Sequence, residues 1–212
     1  ISTKGNISPG LLAQSVGGGG GYAGGMNALI LNIGTTGSVS TNSGNVSIEN
    51  FANITTEGYG SGALLVQSIA GGGGIVSSES INEMQMGAMY VTSATSGNVS
   101  LINTGDLLTT GKGSIAILAQ AVGGGGGVNA YSKVETTVSD DNAGSAYRLF
   151  LSGESAENSG AGDITVDNKG DIVSTLGDGA PAILAQSVGG GGGFAGNSQG
   201  DASLGSSDSS GD

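Results

Sequence analysis

Short stretches of alternating apolar and polar residues recur along the chain and predict β-strands. In NVSIEN, residues 45–50, Val46 and Ile48 share one face, while Ser47 and Glu49 share the other. This period of two is typical of a strand, because a helix places every third or fourth residue on one face. The same parity recurs in two later stretches. One continuous interior is therefore expected to contain Val46, Ile48, Val99, Leu101, Ile164 and Val166.

A turn and two further predicted strands follow each of these stretches. The turns read NFAN, NTGD and NKGD, and Asn, Gly and Asp provide the backbone angles and local side-chain bonds of a tight corner. The second strands read ITTEG, LLTTG and IVSTLG, and the third read ALLVQSI, AILAQAV and AILAQSV. We expect the first Asn of each turn to occupy one equivalent corner and to bond to the turn backbone. These residues are Asn50, Asn103 and Asn168.

The predicted strands belong to a repeat. A glutamine of the third strand lies at positions 14, 67, 120 and 186, so the spacings are 53, 53 and 66 residues. A fixed period of this length indicates a stacked solenoid. Three strands per turn, joined by corners and with no amphipathic helix, predict an all-β fold, namely a right-handed parallel β-helix. Because one coil is expected to take about 20–30 residues, each repeat is predicted to form about two coils.

The repeat predicts a single β-helix segment over residues 1–212. It comprises a partial repeat at 1–21, repeat blocks at 43–74, 96–127 and 161–193, divergent inserts at 22–42, 75–95 and 128–160, and an acidic end rich in Ser and Gly at 194–212. The chain starts partway through a repeat and shows no signal peptide, so a fragment or a processed piece is expected.

The third strand of each copy lacks a polar face. In AILAQAV, Ile117 and Ala119 point one way and Leu118 and Gln120 point the other, with no charge on either side. A strand with one wet face would alternate with polar residues, so this strand is expected to be covered on both sides. The second cover is either the following glycine run folded back or a neighbouring chain.

The glutamines of the third strands recur in register. They can bond to one another or to backbone in a buried ladder, or glutamine can simply be a tolerated polar residue at a corner. We expect the ladder, formed by Gln14, Gln67, Gln120 and Gln186.

A run of four or five glycines follows each third strand, at residues 17–21, 71–74, 123–127 and 189–193. A phosphate-binding loop would need a helix directly after the glycines, and a flexible linker would vary in length and contain Ser. Close backbone packing is the favoured interpretation, with runs that are ordered, extended and aligned along one side of the solenoid. A packing or assembly surface would then include Gly19, Gly73, Gly125 and Gly191.

The amino-acid composition argues against several classes of function. The chain has 45 Gly, no Cys, His or Trp, and 17 acidic against 5 basic residues, a net charge of −12. Five basic residues cannot neutralise a track of phosphates, so nucleic acid is not an expected partner. No apolar run reaches the ~18 residues of a membrane span, so membrane insertion of this segment is not expected. Without Cys, disulfides and thiolate metal sites are excluded.

The stretch AILAQSVGGGGG, preceded by GDITVDNKGDI, resembles the passenger repeats of bacterial autotransporters, which are surface proteins of the type V secretion pathway. The resemblance covers the four repeat blocks and little of the inserts. It implies export through the outer membrane by a C-terminal β-barrel, with display on the cell surface or release outside the cell. The expected function is that of a structural and interaction protein, a stalk or filament segment for adhesion, aggregation or extracellular matrix. Expected partners are further copies of the chain, a host or neighbouring-cell surface, or a glycan.

Catalytic groups are scarce, and the chain is not expected to be an enzyme or to bind a cofactor. Triads of the Ser-His or Cys-His type are impossible without His and Cys, and no metal-ligand cluster is apparent. The alternative function is a carbohydrate-active β-helix, a lyase, hydrolase or glycan-binding protein with a carboxylate site. Its candidate residues are Asp140–Asp141 and Glu154–Glu157, for which a solvated acidic loop is the simpler interpretation. Calcium binding by the acidic end stays open.

Overall fold

The computed structural model describes residues 1–34, 38–88, 90–132, 148–151, 158–174, 178–197 and 201–204. These residues form nineteen strands and no helix, and all strand pairings between them are parallel. In chain order the strands are β1 (Ser2–Thr3), β2 (Leu11–Val16), β3 (Gly20–Ile33), β4 (Ser38–Ser40), β5 (Val46–Asn50), β6 (Ile54–Thr56), β7 (Leu64–Ile69), β8 (Gly73–Met86), β9 (Tyr90–Ser93), β10 (Val99–Asn103), β11 (Leu107–Thr109), β12 (Ile117–Val122), β13 (Gly126–Ser132), β14 (Arg148–Leu151), β15 (Ile164–Asn168), β16 (Ile172–Ser174), β17 (Ile183–Val188), β18 (Gly192–Asn197) and β19 (Asp201–Leu204).

Equivalent strands of successive repeats lie beside one another in stacked sheets. The strand orders are β1-β6-β11-β16, β15-β10-β5, β17-β12-β7-β2 and β4-β9, and a larger sheet contains β18-β13-β8-β14-β19 with β3 paired to β8. The three predicted strands of each copy appear as β5-β6-β7, β10-β11-β12 and β15-β16-β17. The predicted all-β parallel solenoid is therefore confirmed.

The prediction of about two coils per repeat is wrong, because one repeat makes one coil. Gln67 pairs directly with Gln14 on one side and with Gln120 on the other, so no intermediate coil lies between them. The additional length of each repeat lies in the segments interpreted as inserts. They contribute β4, β9 and β14 and most of β3 and β8, which pair with one another although their side chains differ. Backbone hydrogen bonds suffice for this pairing.

The first three strands of each coil enclose a common apolar interior. Ile48, Leu101 and Val99 are buried there, and Val46, Ile164 and Val166 pack against the same cluster. The parity predicted from NVSIEN and its two copies is therefore confirmed.

The central third strands, β7 and β12, are buried along their whole length. Leu64 of β7 faces the common interior, whereas the next residue, Leu65, packs in a second cluster with Ile75 and Val128. Ile75 and Val128 directly follow glycine runs. The chain after each run thus folds back over the outer face of the third strand. The sequence left two possible covers for this face, the folded-back glycine run or a neighbouring chain, and in the structure the cover comes from the same chain.

A third apolar cluster lies beyond this fold-back. Val76, near the start of β8, packs with Met84 and Met86 near its end and with Leu31 and Ile33 of β3. The third strands of the middle coils, β7 and β12, therefore have apolar packing on both sides, and a further apolar layer lies between β3 and β8. The polar groups enclosed among these layers must find partners inside the protein.

Candidate functional site

The four predicted glutamines form a chain of hydrogen bonds along the stack. The Nε2 of Gln14 donates to the Oε1 of Gln67 at 2.6 Å, and Gln67 donates in the same way to Gln120 at 2.6 Å. Gln120 in turn donates to Gln186 at 2.9 Å. Gln67 and Gln120 are fully buried. The Nε2 of Gln120 also lies 3.4 Å from the carbonyl oxygen of Gly127, so the ladder joins the third strand to the strand folded over it.

Asn50, Asn103 and Asn168 occupy one corner, at the end of the first strand of their coils. The Nδ2 of each donates to the carbonyl oxygen two residues later at 2.7 Å. Asn50 also donates to the Oδ1 of Asn103 at 2.6 Å, and Asn103 donates to the Oδ1 of Asn168 at 2.7 Å. Asn103 is fully buried, and both of its amide protons and its oxygen have partners. This is the corner geometry expected from the turn sequences.

Serine and threonine form a third ladder, which the sequence reasoning missed. The Oγ of Ser114 accepts a bond from the backbone N–H of Ser61 at 3.0 Å and donates to the carbonyl oxygen of Gly58 at 2.9 Å. Thr109 donates to the carbonyl oxygen of Ser114 at 3.1 Å, and Thr56 donates to that of Ser61. The two serines and two threonines are buried. The sequence feature that could have revealed this ladder is the repeat spacing, since Ser61 and Ser114 are 53 residues, or one period, apart.

A related ladder lies on the exposed surface. The Oδ1 of Asn53 accepts a bond from the backbone N–H of Asp106 at 2.9 Å, and the Oδ1 of Asp106 accepts one from that of Asp171 at 3.1 Å. Asn45 and Asn98 accept equivalent bonds from the next coil. All of these residues are exposed, so water competes for the same groups and each bond contributes less than a buried one.

Each glycine run begins with a turn and ends as a strand. Gly71 and Gly72 have φ angles of 80° and 82°, in the left-handed region, whereas Gly73 and Gly74 have φ angles of 123° and 152°. Gly73 pairs with the corresponding glycine of the coil on either side. The runs are thus ordered and aligned, as expected, but extended only in their second half, because the chain turns in the first half.

Close approach of backbone explains why these positions lack side chains. A Cβ on Gly73 would overlap the carbonyl oxygen of Gly126. A Cβ on Gly125 would lie 2.7 Å from the carbonyl oxygen of Gly71 and 3.1 Å from the Cα of Gly87. The glycine turn of one coil therefore packs on the next coil and on the corner that follows β8.

The glycines expected at a surface between copies lie mostly inside the molecule. Gly73, Gly125 and Gly191 are buried, and Gly19 of the first coil is exposed. A lateral assembly surface made of all four is therefore not what the structure shows. In the middle coils the chain itself covers the glycine turns.

The first coil is a strained variant of the others. Ile7 has a φ of 55°, where the equivalent Gly60 and Gly113 have φ angles of 63° and 65°. A branched residue rarely adopts this conformation. Tyr22 takes the place of Ile75 in the column that covers the third strands, and its hydroxyl donates to the carbonyl oxygen of Ile7 at 2.8 Å. Burial raises the pKa of Tyr22 from 10.0 to about 12.

The charged side chains whose exposure the structure describes lie at its surface. Lys169 and Asp167 form an exposed ion pair at 3.0 Å. Within the described residues, no group of three or more acidic, His or Cys side chains is placed to hold a metal ion. The described part of the chain also has no helix with the length and apolarity of a membrane span. The acid pairs of the carbohydrate-active alternative, Asp140–Asp141 and Glu154–Glu157, lie outside the described residues.

The chain matches no protein-family model, no curated protein and no solved structure.

Proposed function

We propose that this chain is a structural and interaction protein, a rigid stalk or filament segment that serves adhesion, aggregation or extracellular matrix. The observation that supports this most strongly is that the same bonds join each coil to the next. A ladder of glutamine side chains crosses three successive interfaces between coils, and a ladder of asparagine side chains crosses two of them. Both are buried in the middle of the stack, and each uses equivalent positions in every coil. Such a molecule repeats along one axis, which is the property required of a rod.

The ladders give the rod a defined register. Gln67 meets Gln14 on one side and Gln120 on the other. A slip of one residue between coils would turn every side chain to the opposite face and would replace an amide partner by Ser, Ala or Val. Buried amide ladders therefore resist sliding of one coil over another, while each coil adds about 4.8 Å to the length.

The distribution of charge suits a rod that works in an aqueous exterior. The buried polar residues are Asn, Gln, Ser and Thr, without an ionised side chain among those described. The net charge of −12 is thus available to keep the outer surface hydrated and the rods apart at low salt. The resemblance of the repeat blocks to autotransporter passenger repeats supports export by a bacterium. Partners on a host cell, a neighbouring cell or a glycan would meet the sides of the stack.

Removal of one coil tests whether the chain is built as a rod. Deletion of residues 54–106 removes 53 residues and joins equivalent positions of two coils. The product should fold and lose one coil, about 4.8 Å, from the long axis measured by small-angle scattering. The matched control deletes residues 54–113, which leaves the joined coil without a second strand and should prevent folding. Equal folding of both variants would contradict the modular rod.

Antibody labelling tests the location and the role. Antibodies raised against the chain should label intact cells of the source organism, and cells without the gene should lose the label and aggregate or adhere less. Permeabilised cells provide the control for antibody access. Labelling that requires permeabilisation would overturn the proposed location, and unchanged aggregation and adhesion would overturn the proposed role.

A further inference from the structure

An aromatic side chain projects from the corner between β5 and β6. Phe51 is 71% exposed, the highest value among the described large apolar residues. The residues that replace it at this corner in the next two coils, Thr104 and Lys169, are polar, so packing of the corner does not require an aromatic ring. A single exposed apolar residue is common at protein surfaces, and its meaning depends on its neighbours.

Asn53, two residues further on, has an exposed amide with an unused nitrogen. Its Oδ1 accepts the hydrogen bond from the backbone N–H of Asp106 at 2.9 Å, whereas its Nδ2 makes no hydrogen bond within the part of the chain that the structure describes. The buried Asn50 differs, because its Nδ2 donates both to Ala52 and to Asn103. A substituent on the Nδ2 of Asn53 would therefore break no bond of the exposed ladder, since Oδ1 stays an acceptor.

A threonine hydroxyl lies on the same face as this amide. Ile54 is fully buried, so the residues on either side of it, Asn53 and Thr55, both point outward. The hydroxyl of Thr55 likewise makes no hydrogen bond to any described residue. Asn-x-Ser/Thr is the acceptor sequence for attachment of a saccharide to an asparagine side chain. Both polar groups that define this sequence thus reach the surface of the folded chain.

The aromatic ring, the amide and the hydroxyl occur together in the second coil and in neither of the next two. The equivalents of Asn53 in those coils are carboxylates without an amide nitrogen, and the equivalents of Thr55 are aliphatic. The solenoid therefore does not require this combination, and that contrast points to a ligand of the second coil. The residues that replace the three are Thr104, Asp106 and Leu108 in the third coil and Lys169, Asp171 and Val173 in the fourth.

We propose that Asn53 is the acceptor of an N-linked saccharide, with Phe51 as the surface on which its first sugar ring packs. The co-reactant is an activated sugar phosphate, and a glycosyltransferase of the source cell catalyses the transfer. The Nδ2 of Asn53 forms a bond to the anomeric carbon of the sugar, the bond from that carbon to the phosphate oxygen breaks, and the phosphate leaves with its electron pair. Nδ2 releases one proton to a base of the enzyme, and no group is oxidised or reduced.

Phe51 has a physical role in this arrangement. The face of an aromatic ring is electron-rich, and a sugar ring presents polarised C–H groups on its less polar face. Stacking of the two covers apolar surface of Phe51 that is otherwise in water. The attached sugar should therefore stabilise the folded chain. The inference goes beyond the proposed role of the chain, since it assigns a covalent modification that a stalk does not require.

Mass spectrometry of the chain purified from cells of its source organism tests the modification. Cleavage after glutamate releases Asn53 on a peptide of residues 50–57, separate from the Asn-x-Ser triplets at Asn6, Asn45 and Asn98. Fragmentation by electron transfer keeps the saccharide attached and should locate it on Asn53. The other three triplets lack an aromatic residue two positions earlier, so the occupied fraction should be highest at Asn53.

Matched substitutions in the same cells test the recognition sequence. Thr55→Ala should remove the saccharide, whereas Thr165→Ala, which deletes an exposed hydroxyl of β15 outside any such triplet, should retain it. The triple variant Thr104→Phe, Asp106→Asn, Leu108→Thr should acquire a second saccharide in the third coil. The double variant without Leu108→Thr should not acquire it.

Thermal unfolding tests the contact with Phe51. The chain that carries the saccharide should have a higher Tm than the same chain produced in a host without N-glycosyltransferases. For Phe51→Ala, the two preparations should have equal Tm values. The same gain in Tm in both backgrounds would contradict the stacking.

Three results would overturn the proposed site. They are an unmodified Asn53 in the native protein, a saccharide on Thr55 or another hydroxyl in its place, and an Asn53 that stays modified in Thr55→Ala. Circular dichroism confirms folding of each variant. These results concern one covalent bond, so their failure would leave the rod and its location intact, which coil deletion and antibody labelling test separately.

Discussion

Replacement of Asn103 with alanine should destabilise the solenoid through the loss of its central corner amide. Asn103 is fully buried and takes part in three hydrogen bonds. It accepts one from Asn50 at 2.6 Å and donates one to Asn168 and one to the carbonyl oxygen of Gly105, both at 2.7 Å. Alanine can make none of them.

The expected loss of stability follows from the hydrogen-bonding groups that Asn103→Ala leaves without partners. A net contribution of about 1 kcal/mol for each of the three bonds gives a loss of about 3 kcal/mol in the free energy of unfolding. Gly105 is buried, so its carbonyl cannot recover a bond from bulk water without local opening. Because the ladder continues through Asn50 and Asn168, the loss is expected to weaken the interfaces on both sides of the third coil.

Asn98→Ala is the matched control, since Asn98 belongs to the same coil but to the exposed ladder. Its side chain accepts one bond, from the backbone N–H of Asp163 at 3.0 Å. Water can replace that bond, and the expected loss is about 0.5 kcal/mol. Urea unfolding followed by circular dichroism measures both variants, and hydrogen exchange on either side of the third coil locates the effect.

Equal shifts of the unfolding midpoint for Asn103→Ala and Asn98→Ala would refute this reasoning. That result would mean that burial adds nothing to the corner ladder, and the ladders would then not be the elements that hold successive coils in register.

Three further predictions concern the interior, the glycine turns and the first coil. Leu101→Lys buries an unpaired charge at a cost of several kcal/mol and should abolish the folded circular-dichroism spectrum, whereas Ile102→Lys, between acidic residues of both neighbouring strands, should retain it. Gly125→Val should lower Tm, because its φ of 84° and the carbonyl 2.7 Å from its Cβ position exclude a branched side chain. The Cβ position of Gly190 has open space around it, so Gly190→Val should leave Tm unchanged. Equal Tm values for the Gly125 and Gly190 variants would mean that the glycine runs act as linkers. Ile7→Gly should raise stability by about 1 kcal/mol in calorimetry by relieving left-handed strain at its φ of 55°. A decrease would show that the packing of the Ile7 side chain outweighs that strain.

The strand pattern and the corner residues were readable from the sequence because they depend on neighbours along the chain. Alternation in NVSIEN placed Val46 and Ile48 on one face, since successive side chains of a strand point in opposite directions. Equal spacing placed Gln67 and Gln120 at equivalent positions, and equivalent positions of stacked coils meet. The serine ladder could have been found by the same spacing, because Ser61 and Ser114 also differ by one period.

The number of coils per repeat was decided only by the tertiary structure. The period of the sequence indicates which residues are equivalent in successive repeats. It does not indicate whether equivalent residues lie in adjacent coils or two coils apart. The segments around Tyr22, Ile75 and Val128 share little sequence, yet they pair as parts of β3, β8 and β13, with irregularities in register a few residues further on. Strand pairing uses the backbone, which is the same in every residue, so unlike sequences can occupy one sheet.

The sequence by itself determined that the third strand is covered on both faces, because neither face carries charge. Only the fold showed that the cover comes from the same chain, with Ile75 and Val128 packed on Leu65. The turn between strand and cover needs φ angles near 80° at Gly71 and Gly72, followed by backbones too close for a Cβ. A run of glycines permits many conformations with similar energy, so its sequence cannot select one. The selection comes from the apolar surfaces on either side, which are buried only when the chain turns there.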